Sequence, residues 1–557
     1  MKHSTDPRQN WLFDPTMARF SPMAKKRLTE GWAGVFRTCI LELMPVCEVG
    51  MRFAERMGRP TKELYSICGL VMLMDFNNWT AQKAADAYIF DGQVQFALNL
   101  GQDRQSMCTR TVERYRKIFR EDELGQKFLD RMTGSLVKLL DLEVRTLRLD
   151  STHVFSDMAS MGRTKLMRTA VRRFLVQLKR HDAKGYEALP EKLQKRYDKD
   201  AWDFGKTKAG KKGPTALEVA ADMQTLIDAF ADNEKITRRT SFKAMVRIFE
   251  EQCEVAEDKI KIRKNAGCET MQNPSDPEAT HDPHKGSGYK VQTGETCDEE
   301  NETQLIVAAT PQTASEHDQN ALMPMLDQLK ESDLEPKIVL ADAGYGGDDN
   351  YCSCIKRDIN LIAPVLQGTL RKDRHELGDF QFDESNCVTT CPNGVAPIKA
   401  WFKPGQTGAA TFSSKTCSAC PLRGLCRAKE AGNGNRYLYY DARAFRTAQR
   451  KAQIAESETA ALYAMRSGVE SIYSAAKRTG LLDRLPVRGE KAVYLAICLR
   501  IAAINFGRAV KSDKIKKIVA ERIRIGIQNA IFAPFFRPMP TSGRTIQPKA
   551  RAAAIAA

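Results

Sequence analysis

The sequence predicts an α/β protein, a mixed sheet with flanking helices, preceded by a helical region and interrupted by two insertions. The first observation is a β-α-β-α-β order between residues 286 and 369. Short apolar runs there, IVLA and LIAPV, lack polar alternation, as expected for parallel strands covered on both faces. The other two observations are an isolated alternating run near residue 150 and the helical period of about the first 140 residues.

Residues 1–140 predict a helical N-terminal domain. The stretch TRTVERYRKIF repeats its apolar residues at steps of three and four, and Thr80 and Thr109 have the position and chemistry of helix N-caps. Arginines and a lysine give the last of these helices a basic face. That face fits either a DNA-reading helix or an ordinary solvated surface.

The first part of the sheet is predicted at residues 144–162, because TLRLDSTHVFS alternates with a period of two. A helical insertion is predicted at 163–285. It opens with RTKLMRTAVRRFLVQLKR, which has seven basic residues, no acids and one apolar stripe. This helix fits a phosphate backbone or the wall of an inserted bundle. The polar segment 272–287 predicts a linker or surface loop.

The remaining chain completes the predicted sheet around a second insertion. A hairpin of GYKVQTGETC and TQLIVAATPQT opens the second part of the core. One long helix is predicted from about Arg446 to Arg478, and another near 489–509. The predicted segments are 286–369 for the second part of the core, 370–450 for a cysteine-rich insertion, 451–510 for the third part, and 511–557 for a basic helix and poorly ordered tail.

Composition and charge narrow the functional class. The 557 residues predict several domains, at roughly 100 to 200 residues each, and 42% hydrophobic residues exclude a disordered polyelectrolyte. The apolar run Leu64 to Met74 is far shorter than the roughly 20 residues that cross a bilayer. We therefore expect no membrane partner and, with no secretory signal, a cytoplasmic location. The net charge of +17 favours an anionic polymer as partner, although it also fits a merely basic soluble protein.

Three acids stand where a phosphoryl-transfer site would need them. Asp150 lies within the first predicted strand, Asp342 just past the carboxyl end of KIVLA, and Glu470 on the long helix. Carboxylate oxygens suit Mg²⁺, and two ions about 3.5 to 4 Å apart can stabilise both the attacking and leaving oxygens at phosphorus. Each acid alone is weak evidence, since the chain has 69.

A spaced motif surrounds Glu470. Tyr463, Arg466, Glu470 and Lys477 follow the pattern Tyr-x2-Arg-x3-Glu-x6-Lys. In a continuous α-helix they form one stripe about 60° wide. The arginine and lysine suit phosphate oxygens and the glutamate suits a metal. The alternative is an exposed helix face with an Arg466–Glu470 ion pair.

The cysteines form a separate signal. Five of the 15 fall in the second insertion, and a reducing compartment favours core thiols or metal ligands over disulfides. Four thiolates make a closed structural Zn²⁺ site. The predicted ligands are Cys391, Cys417, Cys420 and Cys426, with Cys387 able to replace Cys391, and unligated thiols are the alternative.

These segments together resemble bacterial insertion-sequence transposases of the DDE class, in the group marked by the Tyr-x2-Arg-x3-Glu-x6-Lys motif. All four motif residues match at the right spacing. LDSTHV is similar to the family's strand with the first Asp, and LADAGYGG to its second-Asp segment. ERMGRPTKELYSICGLVML, KGSGYKVQTGE and RLPVRGEKAVYLAICLRIAAINFGR are similar to further family stretches. The resemblance runs from about residue 20 to 510, without the helical insertion.

The resemblance implies a ribonuclease-H-like catalytic core. Asp150, Asp342 and Glu470 would hold two Mg²⁺ or Mn²⁺ ions, water would cleave one phosphodiester at each element end, and the freed 3′-OH would attack target DNA. His153 belongs to the matched strand, where a structural histidine is the commoner outcome.

The resemblance also implies the DNA contacts. Tyr463, Arg466 and Lys477 would bind phosphates near the scissile bond, with Tyr345 packed beside it. The partners would be double-stranded DNA, as terminal inverted repeats and target, and a second copy of the chain on paired ends, in the bacterial nucleoid. Two other functions stay open: a catalytically silent DNA-binding descendant, and a structure-specific nuclease that cuts without joining.

Overall fold

The structure is a computed structural model that describes residues 1–8, 15–100, 106–197, 214–256, 259–365, 374–403 and 405–536, without the side chains of 15–16, 472 and 526–536. The predicted tail beyond 536 lies outside these residues, as do parts of both predicted insertions. Within them, segments that are distant in the sequence come together in a mixed sheet with flanking helices.

Helices fill the chain before the sheet, as predicted. They are α1 (Pro15–Ala18), α2 (Pro22–Glu30), α3 (Trp32–Val35), α4 (Val46–Gly50), α5 (Leu64–Phe76), α6 (Ala81–Phe90), α7 (Gly92–Ala97), α8 (Thr109–Glu121) and α9 (Leu124–Leu140). The Thr80 hydroxyl caps α6, as predicted, by accepting the N–H of Lys83. The predicted cap at Thr109 is wrong, because Thr109 is the first residue of α8 and its hydroxyl donates to Gln82.

In the part of the chain that the structure describes, the strands form one central sheet and three smaller ones. They are β1 (Thr146–Val154), β2 (Cys253–Ala256), β3 (Lys259–Ile262), β4 (Thr280–Asp282), β5 (Gly286–Thr296), β6 (Ile306–Thr313), β7 (Ile338–Leu340), β8 (Asn360–Ile362), β9 (Gln381–Phe382), β10 (Val388–Thr390), β11 (Lys399–Phe402), β12 (Thr407–Phe412), β13 (Lys429–Glu430) and β14 (Arg436–Asp441).

The central sheet has the order β4-β5-β1-β7-β8, with β6 also on β5. β5 is antiparallel to β1 and β6, which confirms the predicted hairpin. β7 is parallel to both β1 and β8, which confirms the parallel strands predicted from IVLA and LIAPV. The sheet therefore mixes an antiparallel half with a parallel half, and β1 lies at their junction.

The first insertion is a helical bundle with a core of its own. Its helices are α10 (Arg163–His181), α11 (Ala183–Glu187), α12 (Glu191–Arg196), α13 (Ala216–Phe230), α14 (Glu234–Thr237) and α15 (Thr240–Gln252). The apolar stripe of α10 is buried in this core, as its period predicts. The prediction of a linker at 272–287 is wrong in part. Asp276 of this segment is fully buried, and its carboxylate accepts a hydrogen bond from the hydroxyl of Tyr289 at 2.5 Å. A buried carboxylate needs such a partner, so this part of the segment packs inside the protein and is not a surface loop.

The helices after the hairpin flank the sheet. They are α16 (Leu322–Glu331), α17 (Asp348–Lys356), α18 (Ser414–Ser418), α19 (Ala442–Ala455), α20 (Ser457–Ala464), α21 (Gly468–Arg478), α22 (Glu490–Ala509) and α23 (Asp513–Phe536). The single helix predicted from Arg446 to Arg478 is wrong. The chain is extended at Glu456 and forms a 3₁₀ turn at Met465–Ser467, so three helices replace one.

α22 is the central helix of the main core. By length and composition alone Glu490–Ala509 could cross a membrane, but 72% of its apolar window is buried inside the protein. It packs against α5, α9 and β6. Such burial is what the core helix of a folded domain shows.

Candidate active site

Asp150 on β1 and Asp342, just beyond the end of β7, occupy matching positions relative to the parallel pairing of these two strands. β1 and β7 pair with Arg148 opposite Leu340. Asp150 is two residues beyond Arg148, and Asp342 is two residues beyond Leu340. Because adjacent strands lie about 4.8 Å apart, this register brings together two carboxylates that are distant in sequence.

Asp150 is a partly buried carboxylate with charges of both signs around it. Burial raises its pKa, the N–H of Ser151 and the charge of Arg466 lower it, and Asp342 raises it again, with a net upward shift. The Ser151 N–H donates to Oδ1 at 2.7 Å, and Arg466 Nη2 lies 3.5 Å from Oδ2. Two neighbouring carboxylates with incomplete compensation favour a cation between them.

Glu470 lies on α21, which runs past Asp150. Arg466 precedes it by four residues and Tyr473 follows it by three, and both contact Asp150. The Tyr473 hydroxyl donates to the Asp150 carbonyl at 2.9 Å. The Glu470 side chain itself is exposed.

The predicted three-acid metal set is not assembled in the structure. Among the described residues, no three His, Cys, Asp or Glu side chains form a group that could hold a metal. Asp150 and Asp342 are neighbours, but Glu470 does not join them. The Arg466 guanidinium lies 3.5 Å from Asp150 Oδ2, and the Glu470 side chain is exposed.

The predicted single stripe of the Tyr-x2-Arg-x3-Glu-x6-Lys motif is wrong, because the helix breaks inside the motif. Tyr463 lies on α20, Arg466 in the 3₁₀ turn, and Glu470 and Lys477 on α21. Tyr463 nevertheless faces the acids: burial raises its pKa, Arg466 lowers it, and Asp342 and Asp150 raise it. Lys477 is exposed and lies near His153.

Arg148 lies against this turn. Its Nη1 donates to the Met465 carbonyl at 3.0 Å, and the same carbonyl also accepts the backbone N–H of Gly468. A Cβ on Gly468 would lie only 1.9 Å from the same nitrogen, so the glycine lets the guanidinium approach. Arg148 is itself held by Glu295, which is 1% exposed and accepts Arg148 Nε at 2.5 Å and Arg508 Nη1 at 2.8 Å. The sheet thus positions the turn that carries Arg466.

Asp318 is an acid near the site that the sequence interpretation missed. Its Oδ1 accepts Lys290 Nζ at 2.6 Å and Gln292 Nε2 at 2.7 Å. Burial acts to raise the pKa of Asp318, but these hydrogen bonds outweigh it and the pKa is lowered. Ser151 donates to its Oδ2 at 3.3 Å, which ties it to the strand of Asp150. Lys290 and Gln292 lie in the KGSGYKVQTGE stretch. Its similarity to the family is the sequence feature that could have pointed to this group of residues.

Two further predicted residues are buried beside the acids. Tyr345 is fully buried, and its hydroxyl donates to Gln292. His153 is 5% exposed, and burial is the main cause that lowers its pKa to about 4. A neutral imidazole packed against Phe155 fits the structural role expected for it.

The cysteines of the second insertion share one neighbourhood without forming a ligand group. Cys391, Cys417 and Cys426 pack on the small core beneath the β11-β12-β14-β13 sheet. Burial raises the pKa of Cys417, and the charges of Cys426, Cys391 and Cys420 act on it as well. No three of them meet the geometry of a metal site in the part of the chain described. The predicted zinc site with Cys391 or Cys387 is therefore not supported.

One segment of the chain, which follows the sheet and its two aspartates, matches a known protein family. Residues 390–510, which include Glu470 and less than half of the chain, match the family model described as "Transposase DDE domain". This match confirms the resemblance to DDE-class transposases. A solved piggyBac transposase synaptic complex with hairpin DNA aligns at 10% identity and a TM-score of 0.29, covering 93% of this chain and 84% of that one. No curated protein matches the chain.

Proposed function

We propose that the chain is a DNA transposase that binds the ends of a mobile element, cleaves them by metal-dependent phosphodiester hydrolysis, and joins the 3′-OH ends to target DNA. The observation that carries the proposal is the proximity of Asp150 and Asp342, each two residues beyond the paired Arg148 and Leu340, in a chain whose Glu470 segment matches a transposase domain. The mixed sheet is compatible with a ribonuclease-H-like core.

The carboxylates fit a divalent cation in their chemistry. Asp150 and Asp342 offer hard oxygen donors, and the raised pKa of Asp150 reflects burial and the charge of Asp342. These two residues would hold the ion, with Glu470 as the third ligand carried over from the resemblance. A bound Mg²⁺ supplies charge stabilisation at phosphorus.

The remaining motif residues have roles in binding and orientation. Arg466 and Lys477 would present cations to the phosphates, and Tyr463, whose pKa the charges of Asp342 and Asp150 raise, would bind the DNA end beside them. Tyr473 fixes the backbone of Asp150 and so holds β1 against α21. Pairing two DNA ends would bring in a second copy of the chain.

The test is an end-cleavage and joining assay with Mg²⁺ and a donor duplex that carries the inverted repeats flanking the gene. We expect both cutting and joining. Cutting alone would identify a nuclease, and binding without either reaction would identify a silent DNA-binding protein.

Glu470→Gln is the matching variant, with Glu458→Gln on α20 as a control, because both glutamates are exposed. We expect Glu470→Gln to lose cleavage by about a thousandfold while keeping DNA binding, since metal-dependent stabilisation is worth several kcal/mol. Wild-type cleavage by this variant would remove Glu470 from the site.

We also propose a structural Zn²⁺ ion for the second insertion, held by Cys391, Cys417, Cys420 and Cys426. Its support is their sequence spacing and shared neighbourhood, not a formed ligand group. Such an ion would draw the thiols together and tie the short strands of this segment.

A further inference from the structure

The helical insertion contains an open groove of about 980 Å³ with a strongly basic wall. It lies where α10 meets the start of α15 and is also lined by the buried segment after β3. Its basic side chains are Arg172, Arg173, Arg238, Arg239, Lys243 and Arg247. No acidic side chain among the described residues lines it, although the chain has 69 acids.

Part of this charge is already compensated from outside the groove. Arg247 pairs with Glu251 at 2.6 Å, and Arg238 pairs with Glu234. Arg173, Arg239 and Lys243 form no ion pair within the described part of the chain. The positive charge of these three side chains is therefore not neutralised by acids of the groove wall.

Two arginines supply oriented donors to the groove wall. Arg173 is exposed and donates to Ser275 at 2.7 Å, which fixes its guanidinium at the wall. Arg239 Nε, which is shielded from solvent, has no hydrogen-bond partner among the described residues, so this guanidinium is not bound to an acid of the wall. Guanidinium groups held in this way are suited to phosphate oxygens.

We propose that this groove, called the insertion groove, binds the phosphate backbone of duplex DNA. The inference rests on the proposed function, because it gives the DNA a second contact outside the aspartate site. A duplex carries one negative charge per about 1.7 Å of axis, so a row of arginines can contact consecutive phosphates. Lys243 and Arg239 come from α15 and its N-cap, and Arg173 from α10, so both walls contribute.

The experiment measures binding of the full chain to a blunt duplex of arbitrary sequence as salt is varied, because backbone contacts are independent of sequence. The groove variant is Arg173→Gln/Arg239→Gln/Lys243→Gln. The control is Arg180→Gln/Lys184→Gln/Lys192→Gln, which removes the same charge from exposed positions of the same insertion that do not line the groove.

We expect the groove variant to lower the slope of log affinity against log salt by about 2 to 3, which corresponds to three lost phosphate contacts. The control should keep the wild-type slope. The single variant Lys243→Gln, at an exposed position, should lower the slope by about 1 and guards against misfolding of the triple variant.

The outcomes separate the two proposals. A wild-type slope in the groove variant, with wild-type cleavage of element ends, overturns the insertion groove alone. A slope that falls equally in the groove variant and the control also overturns it, since net charge would then be the cause. A wild-type chain that neither binds nor cleaves duplex DNA overturns the proposed function itself.

Discussion

The charge of Asp150 is balanced by an arginine from a distant part of the chain. Its side chain is 17% exposed, so water alone cannot solvate a full negative charge next to Asp342. Arg466 supplies the balancing charge at 3.5 Å. The residue that the motif assigns to phosphate binding therefore also controls the ionisation of the carboxylate.

Arg466→Gln tests this control through pH. Arg466 lowers the pKa of Asp150, so its loss should raise that pKa further above the usual range. An ionised Asp150 is needed for cleavage, so the acid limb of the cleavage profile should move to higher pH. The measurement is the single-turnover cleavage rate against pH.

The control for this experiment is Arg478→Gln, at an exposed position near the end of α21. It should leave the acid limb in place. A uniform loss of rate in Arg466→Gln, with an unmoved limb, would mean that Arg466 contacts DNA without setting the ionisation of Asp150.

At the scale of elements, helical period alone predicts α20 and α21 as one helix. Within Tyr463 to Lys477, nothing other than Gly468 signals a break. The 3₁₀ turn in this stretch is contacted by Arg148, more than three hundred residues earlier, which donates to the Met465 carbonyl. A tertiary contact of this kind has no local sequence signature.

The strands that carry the site could be predicted from the sequence for a physical reason. In β1, buried Leu147 and Leu149 flank the half-buried Arg148, and in β7 and β8 the apolar residues Val339, Leu340, Leu361 and Ile362 are all buried. The placement of Asp342 after β7 followed from this pattern. Asp318 did not, because its partners Lys290 and Gln292 lie on β5, and it is the pairing of β5 with β1 that brings this group next to Asp150.

A double-mutant cycle tests the coupling of Arg148 with Gly468. Gly468→Ala places a Cβ within 1.9 Å of Arg148 Nη1, so the guanidinium must shift and the protein should lose about 2 kcal/mol of stability. In an Arg148→Ala background the same alanine meets no obstacle and should cost little. The coupling free energy from denaturant unfolding should be about 1 to 3 kcal/mol.

Additivity of the two substitutions would contradict the close contact between Arg148 and Gly468. Gly134→Ala on α9 is the matched control, because its Cβ would meet nothing within 4 Å. It should be neutral or slightly stabilising in both backgrounds.

At the scale of the whole molecule, the N-terminal helices and the sheet share one buried core. Val71 of α5, Leu147 of β1 and Leu499 of α22 belong to the same cluster. The helical insertion and the cysteine-rich segment have separate small cores. Periodicity identifies the helices of the first 140 residues, but their packing against the sheet through α22 depends on contacts that sequence spacing does not encode.

Arg500 of α22 is the centre of a buried cluster of charged and polar groups. This cluster connects the N-terminal helices to the segment after α21. Arg500 is 1% exposed and donates to Asn78 at 2.6 Å and to the carbonyls of Gly480 and Leu481 at 2.8 and 3.0 Å. It also lies 3.9 Å from Asp75, which is 2% exposed. One guanidinium therefore links the end of α5 to the turn that follows α21.

Arg500→Met should destabilise both ends of this link at once. The variant leaves Asp75 buried with only Arg116 as partner and frees two carbonyls, a loss of about 3 to 5 kcal/mol. Hydrogen exchange should accelerate together in α5 and in α21. Lys491→Met, an exposed change on the same helix, should alter neither. Faster exchange in only one of the two helices would show that Arg500 does not couple the N-terminal helices to the segment carrying Glu470.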